Sequence, residues 1–231
     1  MLKIAHRGAK AYEPENTLQA FQKALDLNSD GIELDVHLST DQHIIVIHDE
    51  TIDRTANGKG FVNTLSLQEL KTFRINEKQA SELKQQIPTL NEVFDLVNQT
   101  CFINIELKGK GTASAVVALI EKYILEKNWK YANFLVSSFD WNAVQEVRFL
   151  NENIPIGILT ETNLDLAFSF AKFMKAEAIH PEFHLLTQDN TAQIQAKGIQ
   201  VFPWTVNEYE AIQKIKTYNV NGIITDFPDR I

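Results

Sequence analysis

The sequence predicts an α/β protein folded as a (β/α)8 barrel, the TIM-barrel architecture, with a β-hairpin excursion and a small insertion after the second strand. From residue 101 onward, short apolar strands alternate with helical patterns, and two strands near the start bring the barrel strands to eight. The length of 231 residues suits one domain over 1–231, with the insertion at about 50–100. A doubly wound open sheet is the alternative, because alternation alone does not close a ring.

The composition narrows the class of protein. A net charge of −8 argues against nucleic acid as the main partner, because proteins that bind nucleic acid usually carry a basic excess. No run approaches the roughly 20 apolar residues of a membrane span, and no secretory leader is visible. We therefore expect a cytoplasmic protein without stable membrane insertion. The single cysteine, Cys101, excludes an intramolecular disulfide and a multi-cysteine metal site.

The first barrel strand is predicted at residues 2–6, where an apolar run ends abruptly in His6, Arg7 and Gly8. A buried strand with a titratable group and a fixed cation at its tip is typical of a site placed at that end. We expect Gly8 to let the backbone approach a bound phosphate, because glycine has no Cβ.

The first helix is predicted at residues 17–27, where apolar side chains recur at spacings of three and four. Asn16 is the expected N-cap residue, and Gln19 stands at the capping-box position. The helix should therefore begin directly after Asn16.

The second strand is predicted to form an antiparallel hairpin with the residues that follow it. Residues 32–38 alternate strictly, with Glu33 and Asp35 on one face and apolar side chains on the other. The next turn is too short for a parallel crossover, so residues 44–49 should fold back beside this strand. That pairing places His48 opposite the two carboxylates.

The segment at about 50–100 is predicted to be an insertion or small subdomain rather than a barrel unit. Residues 57–60 are turn material, and helical patterns follow near 66–73 and 90–98. The polar stretch at 74–87 between these helices has only weak periodicity.

The remaining chain supplies six strands and five helices in alternation. The predicted strands lie at 102–107, 133–138, 154–159, 176–180, 199–205 and 222–225. The predicted helices lie near 112–127, 140–150, 163–174, 188–197 and 207–217. The return arm of the hairpin is then an excursion and not a ninth barrel strand.

Three carboxylates are expected to meet at the barrel mouth, because active sites in such barrels lie at the C-terminal strand ends. Glu33 and Asp35 lie on the second strand, and Glu106 lies on the next barrel strand. Like charges at close range are costly, and a hard divalent cation with oxygen ligands, Mg²⁺ or Ca²⁺, compensates them. A structural ion pair between Glu106 and Lys108 is the alternative and would remove one ligand.

Two cations and two histidines at the same mouth fit phosphate chemistry. Arg7 and Lys108 suit a phosphate oxyanion beside the metal. His6 and His48 suit general acid and general base roles, because imidazole titrates near neutrality.

Other strand tips offer candidates for the substrate pocket and its support. His180 ends one strand and is a substrate-pocket candidate, and Trp204 ends the next as either a core residue or a pocket wall. We expect Asp49 to orient its neighbour rather than bind metal. His37 is expected to pack behind the site, and His43 is expected to be exposed in a turn.

Six motifs, in order along the chain, closely resemble those of the glycerophosphodiester phosphodiesterase family. They are His6-Arg7-Gly8, Pro14-Glu15-Asn16-Thr17, Glu33-Leu34-Asp35-Val36, His48-Asp49, Glu106-Leu107-Lys108 and Trp204-Thr205-Val206-Asn207. Each motif is weak alone, whereas six in order over nearly the whole chain make a specific signal.

The resemblance implies a TIM barrel that hydrolyses a small-molecule glycerophosphodiester to sn-glycerol 3-phosphate and an alcohol, within lipid and glycerol metabolism. In related enzymes a substrate hydroxyl attacks phosphorus to form a cyclic phosphate that water then opens, and we expect that route here. The family's roles fall on residues already singled out: metal ligands Glu33, Asp35 and Glu106, acid–base pair His6 and His48, and phosphate contacts Arg7 and Lys108.

Two other functions are weighed against this one. A lysophospholipase-D-like activity on lipids would use the same chemistry, but the sequence lacks a basic amphipathic segment. A non-catalytic barrel that binds phosphate-bearing ligands or a protein would not need both histidines.

Overall fold

A computed structural model describes residues 1–76 and 85–231 of the chain. Its barrel strands are β1 (Leu2–His6), β2 (Gly31–Leu38), β4 (Phe102–Leu107), β5 (Phe134–Ser138), β6 (Ile156–Thr160), β7 (Ala178–Pro181), β8 (Gln200–Val201) and β9 (Gly222–Thr225). A further strand, β3 (Ile44–Val46), pairs antiparallel with β2, as the hairpin prediction requires.

The eight barrel strands form a closed parallel ring. Ladder hydrogen bonds connect them in the order β8-β7-β6-β5-β4-β2-β1-β9. Backbone hydrogen bonds then join the two ends of this order: the N–H of Asn221 donates to the carbonyl of Val201 at 3.1 Å, and that of Ile224 donates to Pro203 at 3.0 Å. The predicted barrel is confirmed over the open-sheet alternative.

The helices pack around the ring, except the shortest, whose buried residue Leu70 lies in a separate core. They are α1 (Leu18–Asp26), α2 (Leu67–Leu70), α3 (Leu90–Val97), α4 (Thr112–Lys127), α5 (Trp141–Leu150), α6 (Leu164–Met174), α7 (Gln188–Gln195) and α8 (Tyr209–Thr217). The main apolar core lies between the helices and the outer face of the strands, and a smaller cluster that includes Ile4 and Ile224 lies inside the ring. Since side chains alternate along a strand, His6 shares the inward face with Ile4.

The segment after β3 has a small apolar core of its own. Among the described residues, its buried members are Ile45 of β3 together with Ile47, Ile52, Ala56, Val62, Leu70, Ile75 and Ile87. Helix α3 does not belong to this small core, because its buried face joins the main core around the barrel. The separate packing unit therefore ends near Ile87, and α3 is a helix of the barrel. Part of the polar stretch predicted at 74–87 lies outside the described residues.

Several predicted element ends differ from the observed ones, and two of the differences have a physical cause. The N-cap of α1 is Thr17, whose hydroxyl accepts a hydrogen bond from the N–H of Ala20, and Asn16 is not the cap. The predicted strand at 199–205 has regular pairing only at Gln200–Val201. The N–H groups of Phe202 and Trp204 still donate to the carbonyls of Ile179 and Pro181, whereas Pro203 has no N–H to donate toward β9 on the other edge. None of the helices among the described residues has the length and apolar character needed to cross a membrane.

Candidate active site

A cavity of about 90 Å³ opens at the C-terminal end of the barrel strands. Eight of the nine predicted site residues are among those that line it: His6, Arg7, Glu33, His48, Glu106, Lys108, Trp204 and His180. The ninth, Asp35, is fully buried against the same carboxylate group. The strand tips thus converge as the sequence predicts.

The acidic cluster follows from the register between β2 and β4, which sets Asp35 beside Glu106. One carboxylate oxygen each from Glu33, Asp35 and Glu106 lie within 4.8 Å of one another. Oδ1 of Asp35 is buried without a hydrogen-bond partner, and so is Oε1 of Glu106, although the ammonium of Lys108 lies 3.1 Å from it without hydrogen-bond geometry. Orphaned carboxylate oxygens converging in this way fit a hard divalent cation.

The electrostatics of the cluster agree with that fit. Burial, followed by the charges of Asp35 and Glu106, raises the pKa of Glu33 well above its ordinary value. Burial and the charge of Asp35 also raise the pKa of Glu106. Without a cation these groups resist ionisation, so a bound cation would favour their charged forms.

The loop after β1 holds the cluster from the side. The backbone N–H of Arg7 donates to Oε2 of Glu33 at 2.9 Å. The amide of Asn16 donates to Oδ2 of Asp35 at 2.8 Å, which explains why Asn16 does not cap α1. Gly8 is required for a different reason than the expected approach to phosphate. A Cβ at this position would lie 2.7 Å from the backbone of Ala20 in α1, and the φ of Gly8 is +79°.

His6 is held by the neighbouring strand of the ring. Its Nδ1 lies 2.6 Å from Oδ1 of Asp226, just past the end of β9. Asn207 in turn donates from its amide to Asp226 at 3.0 Å and accepts the backbone N–H of Asp226 at 2.9 Å. Burial lowers the pKa of His6, although the bond to Asp226 opposes this, so the neutral ring is favoured. With Nδ1 as donor to Asp226, the Nε2 atom is left as a proton acceptor.

His48 is held by its sequence neighbour. Its Nδ1 lies 2.7 Å from Oδ1 of Asp49, and its backbone carbonyl is 3.1 Å from Nε2 of His37. His37 thus supports the site from behind, as expected. The guanidinium of Arg54 binds both oxygens of Asp49 and, with the bond from His48, lowers the pKa of Asp49.

The two predicted phosphate contacts are both paired with acids. Arg7 donates to Oε1 of Glu15 at 2.9 Å, and its Nε lies 3.4 Å from Asp35. Lys108 lies beside Glu106, and its ammonium is also 5.7 Å from the ring centroid of Phe139. The ion pair weighed for Lys108 is therefore present, and both of its members line the cavity.

Trp204 and His180 form an inner wall of the cavity. The indole N–H of Trp204 donates to the carbonyl of His180 at 2.8 Å, and its ring meets Phe139 edge to face at 5.4 Å. His180 is fully buried, and both its ring nitrogens are without a hydrogen-bond partner. Burial lowers the pKa of His180 to about 3, so this ring is neutral.

Three residues that the structure connects to the site are not predicted as site residues from the sequence. Asp226 stands at a predicted strand tip, and that position was its available signal. Asn16 belongs to one of the six family motifs, but its position before a helix predicts a cap. Arg54 lies within the insertion and carries no local pattern that marks it.

Comparison with known proteins gives one consistent family. The sequence profile of the glycerophosphoryl diester phosphodiesterase family matches residues 6–230. A relative from Caldanaerobacter subterraneus subsp. tengcongensis, named glycerophosphodiester phosphodiesterase, is 37% identical over 240 residues, which cover 100% of this chain and 96% of the relative.

Solved structures share the fold over nearly their whole length. An Oleispira antarctica phosphodiesterase, in complex with the product sn-glycerol-3-phosphate, matches with a TM-score of 0.89 and 25% identity over 99% of this chain and 94% of its own. A glycerophosphodiester phosphodiesterase from Thermotoga maritima matches with a TM-score of 0.80 and 29% identity, over 99% and 96% of the two chains.

Proposed function

Since the chain belongs to the glycerophosphoryl diester phosphodiesterase family, we propose that it hydrolyses glycerophosphodiesters to sn-glycerol 3-phosphate and an alcohol with the help of a divalent cation. The observation that carries this proposal is the cavity itself. It brings a three-carboxylate cluster, two carboxylate-held histidines and two cations to one barrel mouth. A relative's structure with sn-glycerol-3-phosphate as product supports the same substrate class.

Glu33, Asp35 and Glu106 would hold the cation. Their all-oxygen donor set favours Mg²⁺ or Ca²⁺ over softer metals. A cation bound there supplies positive charge to the phosphate oxygens as negative charge develops on them. Arg7 and Lys108 add fixed positive charge to the same wall, and each is already oriented by an acidic neighbour.

The two histidines would exchange protons with the substrate. His6 is the better general base, because its neutral ring has Nδ1 bound to Asp226 and Nε2 free to accept. It would take the proton of a glycerol hydroxyl as that oxygen attacks phosphorus and the bond to the alcohol oxygen breaks. His48 would give its proton to the departing alcohol. In the second step the roles reverse, as water opens the cyclic phosphate.

His180 and Trp204 would bind the glycerol part of the substrate. Both line the same cavity as the acidic cluster and the two histidines. His180 has buried ring nitrogens without partners, and a hydroxyl could satisfy one of them.

The cytoplasmic location stays a prediction from the sequence.

The proposal is tested with metal-stripped protein and a panel of glycerophosphodiesters together with one lysophospholipid. Glycerol 3-phosphate release should be abolished by chelator and restored by Mg²⁺ or Ca²⁺. Full turnover in chelator would contradict the role of the cation. Faster turnover of the lysophospholipid than of every deacylated substrate would favour the lysophospholipase-D alternative.

A further inference from the structure

Arg54 lies between two carboxylates, Glu15 and Asp49, and binds both of them. Its Nε donates to Oδ2 of Asp49 at 2.7 Å and its Nη2 to Oδ1 at 3.2 Å. On its other edge, Nη1 donates to Oε2 of Glu15 at 2.9 Å and Nη2 to Oε1 at 2.8 Å. All three guanidinium nitrogens therefore bind a carboxylate.

Each of these carboxylates also holds a residue of the cavity. Asp49 binds Nδ1 of His48, and Glu15 binds the guanidinium of Arg7. A continuous chain of charged groups thus runs from Arg7 through Glu15, Arg54 and Asp49 to His48. We propose that Arg54 is a positioning residue for His48, and this inference rests on the proposed function of that histidine as a proton donor and acceptor.

The arrangement requires arginine in particular. A planar guanidinium can present parallel N–H groups to one carboxylate on each of two edges, whereas an ammonium is a single point charge. The two carboxylates differ in setting: the side chain of Glu15 is 7% exposed and that of Asp49 is 30% exposed. Hydrogen bonds from Arg54 and the charge of Arg7 overcome the opposing effect of burial and lower the pKa of Glu15 to about 2.

The insertion supplies the platform for Arg54. Ile52 and Ala56, two positions before and after it, are buried in the separate apolar core of the insertion. The backbone N–H of Ala56 donates to the carbonyl of Ile52 at 2.9 Å, which fixes the turn that carries Arg54. The insertion thus contributes a cation to the site although Arg54 does not line the cavity.

Removal of Arg54 should affect His48 more than Arg7. Glu15 keeps its bond to Arg7, and Arg7 keeps its approach to Asp35. Asp49 loses the group that binds both of its oxygens, so it can rotate away from His48. The loss should therefore be in kcat rather than in KM, because ground-state binding of the phosphate is retained.

The decisive experiment is a double-mutant cycle between Arg54→Met and Asp49→Asn. Each single variant should lower kcat about 10-fold, the lower range for partners that orient a functional side chain. The double variant should lose little more than either single one, because both changes break the same link. Independent losses that multiply to about 100-fold would overturn the inference.

Two further variants guard against a merely structural effect. Arg74→Met removes an arginine from the same insertion, one whose guanidinium donates to the backbone carbonyls of Lys71 and Phe73, and it should retain wild-type kcat. Arg54→Lys keeps the charge and should recover only part of the lost rate. Full recovery with lysine, or an equal loss in the Arg74 variant, would overturn the role of the two-carboxylate bridge.

A spectroscopic measurement separates this inference from the proposed function. The Nδ1–H proton of His48 should give an NMR signal in the metal-free protein that Arg54→Met shifts or broadens and that Asp49→Ala abolishes. An unchanged signal in Arg54→Met would overturn the inference. If the wild-type protein releases no glycerol 3-phosphate, the proposed function fails, whereas this signal still reports whether Arg54 holds His48.

Discussion

The two histidines proposed to transfer protons stand in two regions of the molecule that hold them by different means. His6 and Asp226 lie at adjacent strand tips of the closed ring, and their side chains are 13% and 16% exposed. His48 and Asp49 lie beyond the end of β3, on the excursion, and theirs are 27% and 30% exposed. The barrel strands fix the position of His6, whereas the position of His48 depends on the guanidinium of Arg54 from the insertion.

The difference shows what a parallel ring can and cannot provide. Ladder hydrogen bonds set the register of neighbouring strands, so the partner of His6 is placed by the same bonds that build the barrel. The ladder between β3 and β2 has three residue pairs and ends before His48, and Asp49 is a sequence neighbour of the residue it orients. Arg54 supplies there the restraint that a second barrel strand supplies for His6.

The largest effects should come from the histidines themselves. His6→Gln and His48→Gln should each lower kcat about 10²–10⁴-fold, because each removes a positioned proton-transfer group. His43→Gln is a matched control, since that side chain is 50% exposed in the turn before β3. Turnover close to wild type in either of the first two variants would break the comparison, because only one region would then take part in the chemistry.

Substitution of the carboxylate that orients each histidine should lower kcat by a different factor in the two regions. Asp226→Asn should lower kcat about 100-fold and Asp49→Asn about 10-fold, the two ends of the range for such partners. The larger loss is expected at Asp226, because its pair with His6 is more buried and less screened by solvent. The measurement is kcat at constant ionic strength. Equal losses would show that exposure does not distinguish the two pairs.

The smallest effect is on the free energy of unfolding. Its change with rising pH should have opposite signs for the groups of the two regions. In chelator, the raised pKa values of Glu33 and Glu106 should make the free energy of unfolding fall as pH rises from 4.5 towards neutrality, because the unfolded chain releases these protons first. A loss of about 1.4 kcal/mol would lower Tm by about 3–6 °C in a chain of this size. Saturating Mg²⁺ or Ca²⁺ should remove this fall.

The ion pairs of Arg54 with Glu15 and Asp49, which hold the excursion, should change the free energy of unfolding at the acidic end of the same titration. The pKa values of Glu15 and Asp49 are lowered by their cationic partners, so the stability that these pairs contribute is present above their ordinary pKa values and is lost as pH falls towards 2. Arg54→Met should shrink this acid loss and leave the metal-sensitive fall unchanged. A Tm in chelator that stays constant from pH 4.5 to 8 would contradict the description of the barrel region.

Much of the barrel region could be predicted from sequence because its order is local and periodic. Alternation along residues 32–38 places Glu33 and Asp35 on one face, and the rule that barrel sites lie at strand ends adds Glu106. The hairpin prediction is confirmed as well: the observed pairing of Val36 with Val46 sets His48 opposite the position between the two carboxylates.

The remaining contacts could not be predicted because long-range geometry decides them. Asn16 can cap a helix or reach a carboxylate, and only the position of Asp35 beside it favours the second use. Arg54 reaches Glu15, which is 39 positions earlier, across a segment without periodicity. The same holds for α3, whose apolar pattern alone does not tell whether it packs on the barrel or within the insertion.

The bond between His6 and Asp226 also orders events in time, because the two residues are 220 positions apart in the chain. All three carboxylates of the cluster have been translated once β4 has emerged, whereas Asp226 follows about 120 residues later. At about 5–20 residues per second, that interval is about 6–24 s. The proposed cation ligands are therefore all synthesised before the residue that orients the proposed base, and the proposed chemistry requires the ring to be closed.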